Sequence, residues 1–192
     1  MIVVDRNHSA LLVMDCQATI VEGLGEPAQA ALGQARTLIA RARAAKIPVI
    51  FVVVGFRPGY PELNSRNPAL AMVTKSGRFL GAVGADIAEA VRPEPEDVVI
   101  VKHRVSAFAG TDLDMILRAR SVETLILTGF ITSGVVLSTV RHAADADYRL
   151  VVVRDACADR DDEVHRVLIE KVFPRQATVV SASEVGDALA AP

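Results

Sequence analysis

Runs of uninterrupted apolar residues constrain this chain more than anything else in it: ALLVM (10–14), VIFVVV (49–54), VVIV (98–101), LIL (125–127) and LVVV (150–153). A strand with one wet face alternates apolar and polar residues, so runs without alternation belong to strands buried on both faces, as in a parallel sheet covered by helices. Between the runs the period becomes helical. Leu32, Ala35, Ile39 and Ala42 share a face over 28–45, Leu113, Ile116 and Leu117 follow a Thr111 cap, and Val136, Val140, Ala143 and Ala144 recur after the fourth run. Val164, Val167, Leu168 and Val172 mark a further helix closed by Pro174; Thr178–Val180 reads as a last strand and 183–189 as a final helix. Six buried strands alternating with helices over 192 residues predict one α/β domain, a three-layer α/β/α Rossmann-like fold with a six-stranded parallel sheet.

The stretch 55–97 is the least regular. Gly55, Pro58, Gly59, Pro61, Asn64, Asn67 and Pro68 argue against a long element early in it, and a short helix is expected over 86–91 before Pro93. A connection this long inside a compact domain is usually a lid or a subunit contact. Together with a composition that is 51% hydrophobic, it predicts a homo-oligomer, a dimer. A net charge of −2 gives no reason to expect nucleic acid or an anionic membrane as partner. Two cysteines make no disulfide framework, which fits a cytoplasmic protein, and no apolar run is long enough to span a bilayer.

In a doubly wound sheet, ligands bind outside the carboxyl ends of the strands. Asp15, Lys102, the turn over 129–133 and Asp155 all follow apolar runs and fall at such ends. Thr132 and Ser133 stand where a helix N-cap is wanted. A carboxylate leaving a buried strand is either a structural acceptor or an acid/base, and Lys102 poses the same question with the opposite charge. No GxGxxG, GxxxxGK[ST] or GxSxG motif is present, and His8, His103, His142 and His165 lack ligand spacing. No cofactor and no metal are expected.

Three segments together, ALLVMDCQ, VIVKHRVSAF and LTGFITSGVVLSTVRHAADADYRLVVVRDACAD, resemble the isochorismatase-like cysteine hydrolase superfamily, and the resemblance covers almost the whole chain. It implies an Asp–Lys–Cys triad in which Asp15 and Lys102 match. It also implies a turn, Phe130-Ile131-Thr132, that carries a cis peptide and oxyanion-binding N–H groups. The family's nucleophilic cysteine falls on Val135, which cannot attack a carbonyl. Cys16 and Cys157 do not substitute by register: Cys16 would point away from Asp15, and Cys157 is expected in the loop after the fifth strand. The metal motif of the nicotinamidase branch is absent from VVVGFRPGYPEL. The branch that cleaves vinyl ethers also lacks the cysteine and relies on the aspartate.

The expectation is a hydrolase of a small metabolite, with Asp15 and Lys102 as the catalytic pair and Ile131, Thr132 and Val135 in the oxyanion turn. Phe108, Phe130 and Ser133 would wall the pocket. The alternative is a non-catalytic relative that binds a metabolite or a protein partner in the same place. In the implied strand order 3-2-1-4-5-6 the third strand lies two strands from the first, so the loop bearing Lys102 would have to fold inward to meet Asp15.

Overall fold

The computed structural model describes residues 2–81 and 86–190. Six strands form one all-parallel sheet: β1 (Ser9–Met14), β2 (Val49–Val54), β3 (Val98–Lys102), β4 (Thr124–Phe130), β5 (Arg149–Ala158) and β6 (Thr178–Val180), in the order β3-β2-β1-β4-β5-β6. The two central strands, β1 and β4, are buried at every position, which is what their unbroken apolar runs require.

Strand residues alternate between two cores. Leu11, Val13, Phe51, Ile126 and Val153 face α1 (Ala18–Glu22), α2 (Glu26–Ala44) and α7 (Ala182–Ala190). Leu12, Met14, Val52, Leu127 and Val152 face α4 (Leu113–Ala119), α5 (Leu137–Asp145) and the segment after α6 (Asp162–Val167), through Leu113, Val140 and Phe173. The expected three layers are present.

Two prolines that read as breaks in fact start helices. Pro27 lies in the first turn of α2, which begins before the expected residue 28, and α3 (Pro68–Ser76) starts on Pro68 in a stretch expected to hold no long element. Proline lacks only a donor that a first turn leaves unused, and its fixed φ suits that position. The short helix expected over 86–91 shrinks to a 3-10 turn, Glu89–Val91. β5 runs to Ala158, past the polar pair Arg154-Asp155 that had suggested its end. Asp155 accepts from Ala182 N at 2.7 Å and so caps α7 rather than serving a ligand site. Among the described residues no helix is long and apolar enough to cross a membrane.

Gly129 fixes how tightly β1 and β4 approach. A Cβ there would lie 2.9 Å from the Met14 carbonyl oxygen and 3.0 Å from Met14 Cβ, and neither can swing away. Gly129→Ala should therefore destabilise the fold by about 1–3 kcal/mol through overpacking. A wild-type urea midpoint for this variant would contradict that close approach.

Candidate active site

β1 delivers Asp15 at its carboxyl end in a left-handed conformation, φ 55°, unusual outside glycine. Its N–H donates to Val52 O at 2.8 Å, which ties the residue to β2. Gln17 then reads the end of β2 through both ends of its amide, accepting from Val54 N at 2.8 Å and donating to Val54 O at 3.1 Å. The same amide donates to Asp86 at 2.9 Å, so a single buried glutamine fixes the backbone that aims Asp15.

Lys102 meets Asp15, with Nζ 3.0 Å from Oδ2, and both side chains are almost wholly buried. No loop folds inward. Lys102 is the last residue of β3, paired with Val54, and its side chain crosses the end of β2. Two strand spacings are about 10 Å, a span that an extended lysine and an aspartate bridge between them. The ammonium also donates to Arg104 O at 3.2 Å. Burial pushes the Asp15 carboxyl above the usual carboxylate range, and the Lys102 ammonium opposes this without cancelling it. Oδ1 of Asp15 is buried and has no hydrogen-bond partner.

The turn after β4 carries a second left-handed residue, Ile131, at φ 66° and ψ 77°. For a β-branched side chain this is a strained conformation. The peptide bonds of the described residues are all trans, so the expected cis bond at Phe130-Ile131-Thr132 is replaced by this dihedral. A π-helical turn, Thr132–Val136, follows and leads into α5.

Thr132 and Ser133 do not cap that helix with their hydroxyls. Thr132 is fully buried and its hydroxyl pairs with His165 Nδ1 at 2.8 Å, away from the cavity. Burial holds His165 below the ordinary histidine value despite the nearby carboxylates of Asp159 and Asp162. The cap comes from another strand: Asp159, just past β5, accepts Ser133 N at 2.6 Å on Oδ2 and Arg160 N at 2.7 Å on Oδ1. Ser133 N and Gly134 N, the latter bonded to Ile131 O, are thus both engaged.

A cavity of about 540 Å³ opens at this rim. Asp15, Lys102, Ile131, Ser133 and Val135 line it, together with Asp159 and the unanticipated Arg78, Arg104 and Arg160. Val135 forms part of the wall: it is only 1% exposed and packs in the same core as Met14 and Val136. Phe108 and Phe130 do not line the cavity. Phe130 is fully buried on the α2 face, and Phe108 stacks on His142 at 4.8 Å between centroids, against α5. Their places are taken by Phe56 and Phe79, whose contribution no regular pattern in 55–97 announced.

Cys16 is buried in the α2-side core, and Cys157 lies inside β5, not in a loop. Burial pushes both thiols up, Cys157 to about 12, with Asp15 adding to the effect at Cys16. Neither is a nucleophile at neutral pH. Among the described residues no group of three or more His, Cys, Asp or Glu side chains is placed to hold a metal ion.

Residues 9–184 match the Isochorismatase domain family. The chain belongs to that family. Isochorismatase family protein YecD of Escherichia coli O157:H7 is 33% identical over 196 residues, 98% of this chain and 100% of that one. The ureidoacrylate amidohydrolase RutB of Enterobacter sp. (strain 638) is 33% identical over 171 residues, 78% of this chain and 74% of that one. Among solved structures, N-carbamoylsarcosine amidase from Thermoplasma acidophilum superposes with a TM-score of 0.75 and 32% identity, over 91% of this chain and 96% of that one.

Membership of a hydrolase family leaves the energetic question of the buried pair to this chain's own residues. Lys102→Met should destabilise the protein by about 3 kcal/mol at pH 8, where Asp15 would be an uncompensated buried anion. At pH 5 the loss should be much smaller, because the isolated carboxyl takes up a proton. The sign follows from a folded-state pKa above the unfolded one, so this stability is present at low pH and is lost as pH rises through the folded value. Equal losses at both pH values in denaturant melts would show that the ammonium does not stabilise the carboxylate.

Proposed function

We propose that this isochorismatase family member is a hydrolase of a small metabolite, working by proton transfer through Asp15 and without a covalent thiol intermediate. One observation carries it: the Asp15 carboxyl lines the cavity with one oxygen held by Lys102 and the other buried without a partner. An orphaned buried oxygen costs free energy unless a ligand or water meets it. Burial keeps the proton on this carboxyl to higher pH than usual, which suits a general acid.

In the proposed reaction Asp15 gives its proton to the atom at the breaking bond, a water molecule adds to the electrophilic carbon, and the proton released by that water returns to Asp15. Lys102 holds the intervening carboxylate. Of the turn's N–H groups, that of Ile131 is the one left to face negative charge on the substrate, since those of Ser133 and Gly134 are engaged and Thr132 does not line the cavity. Val135 fills wall volume where the resemblance places a cysteine and offers no nucleophile. The amide-cleaving relatives support hydrolysis, while Val135 favours a substrate whose bond breaks by acid catalysis, such as a vinyl ether. A second reading, binding without turnover, draws on the same valine.

Turnover of vinyl ethers, esters and amides by purified protein tests this reading. Asp15→Asn should lower kcat by at least about a hundredfold, and kcat/KM of the wild type should fall as pH rises through the raised Asp15 pKa. An Asp15→Asn variant that is folded by circular dichroism and retains full activity would rule the assignment out.

Thiol reagents supply an independent check. Wild-type activity should survive iodoacetamide, since both native thiols are buried and held protonated. Inactivation of the wild type by alkylation at Cys16 or Cys157 would show that a native thiol does participate.

A further inference from the structure

The two margins of the sheet are built differently. β6 ends one side with three residues, Thr178–Val180, and β3 ends the other with five, Val98–Lys102. An unpaired strand edge is a template for a further strand, and proteins blunt it with short strands, prolines, charges or bulges. β6 is protected by its shortness. β3 reads VVIVK, pairs with β2 in unbroken register, and has its one charge, Lys102, already spent on Asp15.

Backbone alternation tells which groups of this edge are free. Lys102 O accepts from Gly55 N at 3.3 Å, so the N–H and C=O groups of Val98, Ile100 and Lys102 turn toward β2. Those of Val99 and Val101 turn away from it, and among the described residues no strand pairs on that side. Ile100 belongs to the core under α4 and α5, so the Val99 and Val101 side chains lie together on the opposite face. There Val99 is 36% exposed and Val101 only partly covered.

We propose that β3 pairs antiparallel with β3 of a second copy of this chain, about a two-fold axis at Ile100, joining the two sheets into one. About that axis Val99 of one copy faces Val101 of the other. These are the residues whose backbone groups are free, so each facing pair exchanges both of its hydrogen bonds. Their side chains meet across the axis on the uncovered face.

Charge fixes the direction. The strand is entered through Glu94, Glu96 and Asp97 and left through Lys102, His103 and Arg104. Glu94 and Asp97 are spent on Arg43, and Lys102 on Asp15. Among the described residues neither Glu96 nor Arg104 makes an ion pair. Both are exposed and equally spaced from Ile100, so the antiparallel pair brings the acidic end of each strand to the basic end of the other. A parallel pair would set like ends together, and its head-to-tail symmetry would not close. The dimer expected from composition thus takes its surface from β3 and not from the connection over 55–97. Pairing also turns the margin that carries Lys102 into the middle of a continuous sheet. None of this depends on the hydrolytic reading.

Sedimentation equilibrium of the full chain between about 1 and 100 µM tests it, with amide exchange to locate the contact. The wild type should reach twice the mass of one chain at the upper end. The Val99 and Val101 amides should exchange about tenfold or more slowly there than in the dissociated chain, while Ile100 and Lys102, bonded to β2 in either state, change less. Val99→Pro removes only an outward donor, a change that an edge strand tolerates. It should weaken association about tenfold or more, because symmetry deletes the bond twice. Val99→Lys, which sets two ammoniums near the axis, should weaken it as well, and so should Glu96→Arg. A wild type that stays monomeric across the range overturns the proposal. So does a dimer whose Val99 and Val101 amides exchange freely, or one whose association survives both Val99 variants. If Val99→Pro fails to fold, Val99→Lys and the wild-type amide exchange decide the matter.

Discussion

Much of this molecule is arranged around an ion pair that its surroundings discourage. Asp15 and Lys102 are both close to fully buried, 3.0 Å apart, and burial raises the aspartate more than the ammonium lowers it. Such pairs are seldom worth their desolvation as stabilising contacts, and well-packed apolar replacements often do as well. The surrounding structure nonetheless holds both residues in place. Gln17 clamps the chain after Asp15 to the end of β2, and the left-handed Asp15 backbone turns the carboxylate toward β3. A strained residue and a saturated buried amide in support of one carboxylate suit a site that must present an oxygen without a protein partner.

The neighbouring turn follows the same logic with different parts. Ile131 takes a conformation that β-branched residues avoid, and Gly134 is required beside it because a Cβ would lie 2.9 Å from Ile131 Cγ2. The helix that follows gets its cap from Asp159, the residue just past β5, so the ends of β4 and β5 are tied together at the rim by a side chain as well as by their ladder. Asp15 and Ile131, two of the left-handed residues that line the cavity, follow the neighbouring central strands β1 and β4.

Hydrophobic pattern made the sheet legible because burial on both faces leaves a mark that local context rarely overrides: five of the six strands and the parallel character of the sheet could be read from the apolar runs. Prolines misled where position mattered more than identity, at Pro27 and Pro68, since a residue that breaks a helix interior also starts one. Of the cavity, Asp15 and Lys102 were visible as charges at the ends of apolar runs. Asp159 was missed because the polar pair Arg154-Asp155 sits inside β5 and imitates its end; the strand continues to Ala158. Phe108 and Phe130 were expected in the wall, yet alternation sends Phe130 to the opposite core. Arg78 and Arg104 could not have been found by pattern, because irregular connections bring them to the rim.

One consequence comes from where the lysine is carried. β3 is an edge strand, hydrogen-bonded to β2 alone, with Val99 exposed and Val98 and Val101 only partly covered, whereas Asp15 leaves the fully buried β1. Opening of the edge strand exposes little apolar surface compared with opening the centre, so it lies at the low end of the free-energy ladder of partial unfolding. Each such excursion withdraws the ammonium and leaves the carboxyl alone in its apolar setting while the rest of the sheet stays intact. Amide exchange in β3 is therefore expected to report how long the pair stays assembled.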